Sequence, residues 1–380
     1  MASTTTPPVL SVRALNRATL ARQLLLRRAP MGAEDAVRHL VGLQAQNTRP
    51  PYHALAARLE GFRPEELSGL MERRAAVRTV TMRSTLHTHT AADALALVPL
   101  TLPARDSEVR MFGKRCPGVE PDVLAALVRR LVEERPRTPK EIRTALLERW
   151  PDADPLALTG LARCLLPLVQ VTPRGLWDRA GQVALTTADV WLGRGPDAEP
   201  VPPAPVDDVV LRYLAAFGPA SVKDMRTWSG LTRLRGAFER LRPRLLTFRD
   251  PYGTELFDLP GAPRPDPDTP APPRLLPEFD NALLSHADRT RLVPAEYRNR
   301  TWKGNQAHRT FLVDGFLAGI WRLEEAKAKG GEDGGLTLTV QPFAPVGRAA
   351  RAEVAEEAAR MLDVLGRGRP YDVRFGVFAE

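Results

Sequence analysis

Two stretches of the sequence, residues 116–195 and 206–260, repeat one order of predicted elements, helices followed by a pair of short strands. Apolar residues at helical spacing predict the helices, and turns rich in proline and glycine predict the strand pairs. The helices are predicted at 138–149, 155–168, 207–217, 221–228 and 232–241, and the second strand pair at 245–260. This order is typical of a winged helix, so the chain is predicted to contain tandem winged-helix modules.

A third, degenerate copy of the same module is predicted over residues 11–115. Its first helix, at 11–29, has arginines between the apolar positions, which predicts a basic outer face. Three further helices are predicted at 33–46, 52–60 and 64–73. Residues 77–90 are rich in β-branched side chains and predict paired strands. Residues 1–10 are expected to form a disordered tail.

The pattern changes to strands in the C-terminal part, residues 274–380, which follows a proline-rich linker at 260–273. Asp314-Gly315 lies between two apolar runs and predicts a hairpin over 310–324. A further strand is predicted at 336–343 and an amphipathic helix at 348–365. We therefore predict an α+β chain that ends in a β-barrel or an open sheet with this helix packed on it.

The chain is basic, and its excess charge is regional. Its net charge is +9 over 380 residues, and only six of the 54 basic residues are lysines. Residues 1–115 contain 17 Lys/Arg and nine Asp/Glu, whereas residues 322–380 contain nine and ten. Arginine has a planar fork that suits phosphate oxygens, so this distribution favours an anionic partner such as nucleic acid.

Several other classes of protein are disfavoured. The two cysteines, Cys116 and Cys164, show no metal or disulfide spacing, which favours a reducing cytoplasm. No apolar run is long enough to cross a bilayer, and the N-terminus has no apolar signal core. The sequence contains no phosphate-binding loop, dinucleotide fingerprint or nucleophile elbow. No cofactor or metal is expected.

The triplet Gln44-Ala45-Gln46 is the main candidate for chemistry. It is predicted at the end of a helix, inside the most basic region of the chain. A neutral amide is a weak base, but it donates and accepts hydrogen bonds at once and can hold a water molecule or a polar substrate edge. The alternative is a polar helix terminus with two solvated amides.

Other candidates are less specific. His87 and His89 share one strand face and suit a phosphate better than a metal, because no companion ligand is near in sequence. Asp280 either points into a cleft or caps a turn. The arginines of the helix and wing of the last module either contact phosphates or form a solvated face; they are Arg233, Arg235, Arg240, Arg242 and Arg244.

Several segments together resemble the winged-helix DNA glycosylases of the AlkZ and YcaQ type. The resemblance covers nearly the whole chain and rests most on LVGLQAQ (40–46) and MRSTLH (82–87). It extends to LNRATLARQ (15–23), PRGLW (173–177), LLPEFDNALL with Asp288-Arg289 (275–289), and FLVDGFLAGIW (311–321). In this family a Gln-aliphatic-Gln motif marks the AlkZ type, and the triplet at 44–46 matches it.

The resemblance implies three tandem winged helices and a C-terminal β-barrel in a C-shaped monomer. It implies a monofunctional glycosylase, without a cofactor, that excises bulky N7-alkylated purines from double-stranded DNA and in some members unhooks interstrand crosslinks. Gln44 and Gln46 would be catalytic. A hairpin at 300–310 would probe the DNA. Together with Arg233, Arg235 and Arg240, the residues expected to contact DNA are Arg49, Arg83, His87, Lys303, Asn305 and Arg309.

Two other functions are compatible with the charge. A transcriptional regulator built on a winged helix would bind one duplex sequence and leave alkylated DNA uncut. An RNA- or protein-binding scaffold is the third possibility. Fusion of several modules in one chain with the glutamine triplet favours the enzyme, which would act in the cytoplasm on nucleoid DNA.

Overall fold

The computed structural model describes residues 7–195, 198–304, 306–326 and 334–378. Its N-terminal region, up to residue 113, contains α1 (Val12–Arg22), α2 (Ala33–His39), β1 (Leu43–Gln44), α3 (Pro50–Arg58), α4 (Pro64–Glu72), β2 (Ala76–Val80), β3 (Leu86–Thr90), α5 (Ala91–Thr101) and α6 (Asp106–Gly113). The helix predicted at 33–46 ends early, at His39. Val41 and Gly42 have φ angles of 54° and 91°, which an α-helix does not accommodate, and the chain enters β1 instead.

The second region has the predicted order of helices and strands. It contains α7 (Pro121–Glu134), α8 (Pro139–Arg149), α9 (Pro155–Leu165), β4 (Leu168–Gln170), β5 (Leu185–Thr187) and α10 (Ala188–Trp191). Thr138 caps α8, since its hydroxyl accepts the N–H of Glu141 and the Glu141 carboxylate accepts the N–H of Thr138. Leu124, Val128 and Leu158 belong to the core of this region.

The third region also follows the predicted order. It contains α11 (Val206–Phe217), α12 (Val222–Ser229), α13 (Arg235–Leu241), β6 (Leu246–Arg249) and β7 (Glu255–Asp258). The expected disordered tail is only partly within the described residues. Val9 forms a parallel bridge with Arg249, whose N–H donates to the Pro8 carbonyl, so residues 8–10 are ordered along the edge of this hairpin.

The C-terminal region contains β8 (Arg274–Leu276), α14 (Asn281–Leu284), β9 (Trp302–Lys303), β10 (Gln306–Ala307), β11 (Arg309–Val313), β12 (Phe316–Glu325), β13 (Leu336–Pro342), α15 (Arg348–Gly366) and β14 (Tyr371–Phe375). Five strands form one sheet in the order β14-β13-β12-β11-β8. Within the described residues β8 and β14 are edge strands, so this sheet is open and the predicted barrel is not found. The helix α15 packs on the sheet and on α3.

The regions predicted as separate modules share sheets and cores. A second five-stranded sheet has the order β1-β3-β2-β4-β5, so the strands of the second region extend the sheet of the first. The largest core cluster combines apolar side chains of α2, α3 and α4 with those of the C-terminal sheet and α15. Because β1 lies in the shared sheet, the glutamine triplet is held by several regions at once.

The basic outer face predicted for the first helix is not observed. Arg17 and Arg22 of α1 are buried, and Arg22 lies 2.9 Å from a carboxylate oxygen of buried Asp258. Arg17 pairs with Asp314 in the turn between β11 and β12. These arginines tie α1 to distant segments, so much of the N-terminal charge excess does not face solvent.

Candidate active site

The triplet is presented by a sharp turn between α2 and β1. Gly42 makes this turn with a φ of 91°, and a Cβ there would lie 2.3 Å from the His89 ring. Antiparallel pairing places Gln44 opposite His87 of β3. β1 ends at Gln44, and the chain continues through buried Ala45 to exposed Gln46, which lies in a bend.

Ala45 anchors the triplet from behind. Its side chain is fully buried, its N–H donates to the Leu86 carbonyl at 2.7 Å, and its own carbonyl accepts from buried Arg78 at 2.7 Å. Burial lowers the pKa of Arg78 to about 10. A larger side chain at position 45 would have to displace its neighbours, which accounts for alanine in the middle of the triplet.

Gln44 is oriented by Arg83. The Oε1 atom of Gln44 accepts a hydrogen bond from Arg83 Nη2 at 2.7 Å, and another Arg83 nitrogen donates to the Trp228 carbonyl. Arg83 lies in a tight turn with a φ of 54°, and burial together with nearby Arg289 lowers its pKa to about 10. The Gln44 oxygen is therefore held by the protein, and its amide nitrogen remains to donate.

Gln46 lies at the surface of a cleft. Its Oε1 atom accepts the N–H of Leu86 at 3.1 Å, and its side chain is exposed. The cleft has a volume of about 510 Å³ and is lined by Gln46, Asn47, Glu278, Phe279, Gln306, Ala307, His308, Arg309, Trp321, Arg322, Leu323 and Phe378. The triplet, the hairpin β9–β10 and the C-terminal sheet therefore meet at one opening.

A carboxylate that sequence analysis did not single out lies in this cleft. Glu278 is 7% exposed; one of its oxygens accepts from Asn47 Nδ2 at 3.1 Å and the other from Arg309 Nε at 2.9 Å. The Arg309 guanidinium also lies over the Trp321 ring, 5.1 Å from its centroid. Glu278 lies in the segment PEFDNALL, two residues before Asp280.

Asp280 has a structural position. Its carboxylate pairs with Arg58 at 2.7 Å, caps α14 through the N–H of Ala282, and is buried. It therefore caps a turn, the second of the two alternatives, and does not point into the cleft.

His87 is placed beside the triplet but not at the surface. It is 2% exposed, and burial, with the charge of Arg83, holds its pKa well below the usual value. Burial also lowers the pKa of its neighbour His89 to about 4. A buried neutral imidazole does not suit a phosphate contact, so the structure argues against the predicted DNA contact of His87.

The other residues predicted to contact DNA differ in their exposure and in whether they pair with acidic side chains. Arg233, Arg235 and Lys303 are exposed, and the ion pairs found in the described part of the chain do not include them. Three others have acidic partners: Arg49 lies 3.3 Å from Glu325 and 3.4 Å from Asp178, Arg240 pairs with Asp207, and Arg309 with Glu278. Asn305 lies outside the described residues.

The hairpin predicted over 300–310 is present as β9 and β10, with Lys303 opposite Gln306. Trp302, on its first strand, lines a second cleft of about 500 Å³ that contains Lys223, Arg289 and Arg298. Gln306, on its second strand, lines the cleft of Gln46. The hairpin thus contributes to the lining of both openings, and the charge of Arg289 in the second opening lowers the pKa of Arg83, which donates to Gln44.

Two further observations concern the described residues only. They contain no group of three or more His, Cys, Asp or Glu side chains that would hold a metal ion. None of their helices has the length and apolarity that crossing a bilayer requires.

Comparisons with known proteins identify the family to which this chain belongs. The family model described as DNA glycosylase AlkZ-like matches residues 37–364. Among solved structures, DNA glycosylase AlkZ from Streptomyces sahachiroi is similar to this chain with a TM-score of 0.75 and 23% sequence identity, over 97% of this chain and 100% of that one. No curated protein sequence matches. This chain belongs to the AlkZ-like DNA glycosylase family and is a DNA glycosylase.

Proposed function

We propose that the enzyme hydrolyses the N-glycosidic bond of bulky N7-alkylated purines in double-stranded DNA and unhooks interstrand crosslinks made by such lesions. The observation that carries this proposal is the exposed amide of Gln46 in the lining of an open cleft, two residues after the buried amide of Gln44. Arg83 holds the oxygen of Gln44 in place, and the Leu86 N–H holds that of Gln46.

The chemistry suits neutral side chains. Alkylation at N7 gives the purine a positive charge, so the base leaves with the electrons of the N9–C1′ bond and needs no proton from the enzyme. The enzyme must hold the resulting oxocarbenium-like sugar and a water molecule in reacting geometry. Exposed Gln46 is proposed to hold that water, and Gln44, fixed by Arg83, to position the water or the sugar.

An open cleft is compatible with a tethered lesion. Most glycosylases rotate the target base out of the duplex into a closed pocket, which a base bound to both strands cannot do freely. The proposed enzyme is a C-shaped monomer with three winged-helix modules that acts on nucleoid DNA in the cytoplasm. Arg233, Arg235 and Lys303 are proposed to contact phosphates, and the hairpin that includes Asn305 to probe the groove.

The experiment that tests this function measures base release under single-turnover conditions. The substrate is duplex DNA with a nitrogen-mustard guanine crosslink at N7, and the readout is the number of abasic sites. Gln46→Ala should lower the rate constant by about 10²- to 10⁴-fold, as expected when a water-positioning group is lost. Gln170→Ala, in β4 of the same sheet, is the matched control and should retain the wild-type rate.

Either of two results contradicts the proposal. Base release by Gln46→Ala at the wild-type rate would show that this glutamine takes no part in the reaction. Tight binding of one duplex sequence, without release from crosslinks or from N7-alkylguanine monoadducts, would favour the DNA-binding regulator.

A further inference from the structure

We infer that Glu278 accepts the proton of the attacking water, and this inference rests on the proposed function. The two glutamines can orient that water but cannot take its proton, because a neutral amide is a weak base. The Oε1 atom of each already accepts one N–H bond, from Arg83 in Gln44 and from Leu86 in Gln46. A water molecule held by Gln46 in the cleft therefore needs a more basic group beside it.

Glu278 is the residue placed to be that acceptor. Among the described residues that line the cleft of Gln46, it alone has a carboxylate. Asn47, the residue after Gln46, donates to one oxygen of Glu278 at 3.1 Å, which ties the carboxylate to the triplet. Each carboxylate oxygen takes one hydrogen bond in the structure and has a second lone pair for water.

The charged and titratable side chains around Glu278 in the cleft are cationic or neutral. Arg309 on β11 donates to Glu278, and the guanidinium of Arg309 lies over the Trp321 ring. The other charged or titratable groups that line the cleft are Arg322 on β12 and His308 beside β10. Burial, with the charges of Lys303 and Arg322, lowers the pKa of His308, so His308 is a neutral neighbour.

The proposed step balances without a further reactant. The N9–C1′ bond breaks, and its electron pair neutralises the cationic N7-alkylpurine. The water oxygen forms a bond to C1′ and gives one proton to the Glu278 carboxylate, which returns it to solvent. Glu278 thus belongs to the catalytic residues, in contact with the reacting water, and Asn47 and Arg309 are positioning residues.

Glu278→Gln tests this role because it keeps the shape of the side chain and removes the charge. The probe is duplex DNA with a nitrogen-mustard monoadduct at guanine N7, and the spontaneous rate without enzyme is subtracted. The single-turnover rate constant should fall about 10²- to 10⁴-fold, with the Kd for the same DNA nearly unchanged. Glu148→Gln, an exposed position on α8, is the control for loss of one negative charge.

A pH profile separates a catalytic role from a structural one. Protonation of a carboxylate removes its capacity to accept a proton, so the wild-type rate should decline towards acidic pH. The residual rate of Glu278→Gln should lack that decline. Glu278→Asp, which restores the carboxylate on a shorter chain, should recover part of the rate and the decline. Asn47→Ala removes only one positioning bond and should cost less than Glu278→Gln.

The outcomes distinguish this inference from the proposed function. Base release by the wild type, together with a slow and pH-independent Glu278→Gln variant, supports Glu278 as the acceptor. Equal rates and equal pH profiles for the wild type and Glu278→Gln would overturn that role and leave the proposed function standing. A loss in Glu278→Gln that Asn47→Ala reproduces in full, with the acid decline retained, would also overturn it. Absence of release by the wild type would refute the proposed function itself.

Discussion

Three arginines of the N-terminal region and two of the third region have opposite surroundings. Arg17, Arg22 and Arg58 are buried, and each pairs with an aspartate far along the chain. Arg233 and Arg235, at the start of α13, are exposed. The same residue type therefore joins segments of the protein in the first group and is available to an anionic partner in the second.

This difference shows that a count of charges does not locate a DNA-binding surface. The excess of basic residues is largest in residues 1–115, yet several of these side chains satisfy Asp258, Asp280 and Asp314 inside the protein. A buried guanidinium is costly without a partner, and the partner residues lie in regions that the sequence separates by more than 200 positions. Mutations of the buried and of the exposed arginines test this difference. They separate effects on the free energy of unfolding, on the rate of base release and on the salt dependence of DNA binding.

The largest effect is expected for Arg58→Ala. The guanidinium of Arg58 is fully buried and donates to both oxygens of Asp280, at 2.7 and 2.8 Å. Its removal leaves a buried carboxylate without its ionic partner, so the free energy of unfolding should fall by about 3–5 kcal/mol. Chemical denaturation measures this loss.

A double variant is the control for Arg58. Arg58→Met combined with Asp280→Asn removes both charges and should lose less stability than Arg58→Ala, because no unpaired charge remains buried. A loss below about 1 kcal/mol in Arg58→Ala would mean that the pair contributes no more than an exposed one.

A smaller effect, on rate, is expected for Arg83→Ala. Arg83 was predicted from sequence to contact DNA, but the structure directs it to Gln44 and to the Trp228 carbonyl. Loss of a charged hydrogen bond of this kind corresponds to about 1.5–3 kcal/mol, or roughly 10- to 150-fold in the single-turnover rate constant for base release. The slope of DNA affinity against salt should stay unchanged. A reduced slope with an unchanged rate would instead support the phosphate contact.

The sequence allowed local structure to be predicted better than tertiary placement. The hairpin of β11 and β12 and the helix α8 depend on residues close in sequence, and both were predicted. The end of α2 was not, because Val41 adopts a positive φ that its residue type does not indicate. The choice between a barrel and an open sheet in the C-terminal region, which the sequence left undecided, and the sheet shared by β2 and β4 depend on pairing between distant strands.

The same limit applies to the site. The triplet could be singled out because its two amides are two positions apart in sequence and match a family motif. Glu278 could not, since its contact with Asn47 joins residues 231 positions apart. His87 illustrates the converse error, because its position in an alternating strand did not reveal that both faces of β3 are covered.

The smallest effect is expected for the exposed arginines of the third region, in the double variant Arg233→Ala and Arg235→Ala. Both side chains are exposed, so their loss should change the free energy of unfolding by less than about 0.5 kcal/mol. If each neutralises one phosphate, the slope of log Kd against log salt should fall by about 0.9 for each residue, equally for all DNA sequences. Arg129→Ala on α7, whose side chain pairs with Glu133, is the matched control and should leave the slope unchanged. An unchanged slope in the double variant would place the phosphate contacts elsewhere, and Lys303 with the cations of the Trp302 cleft would become the next positions to replace.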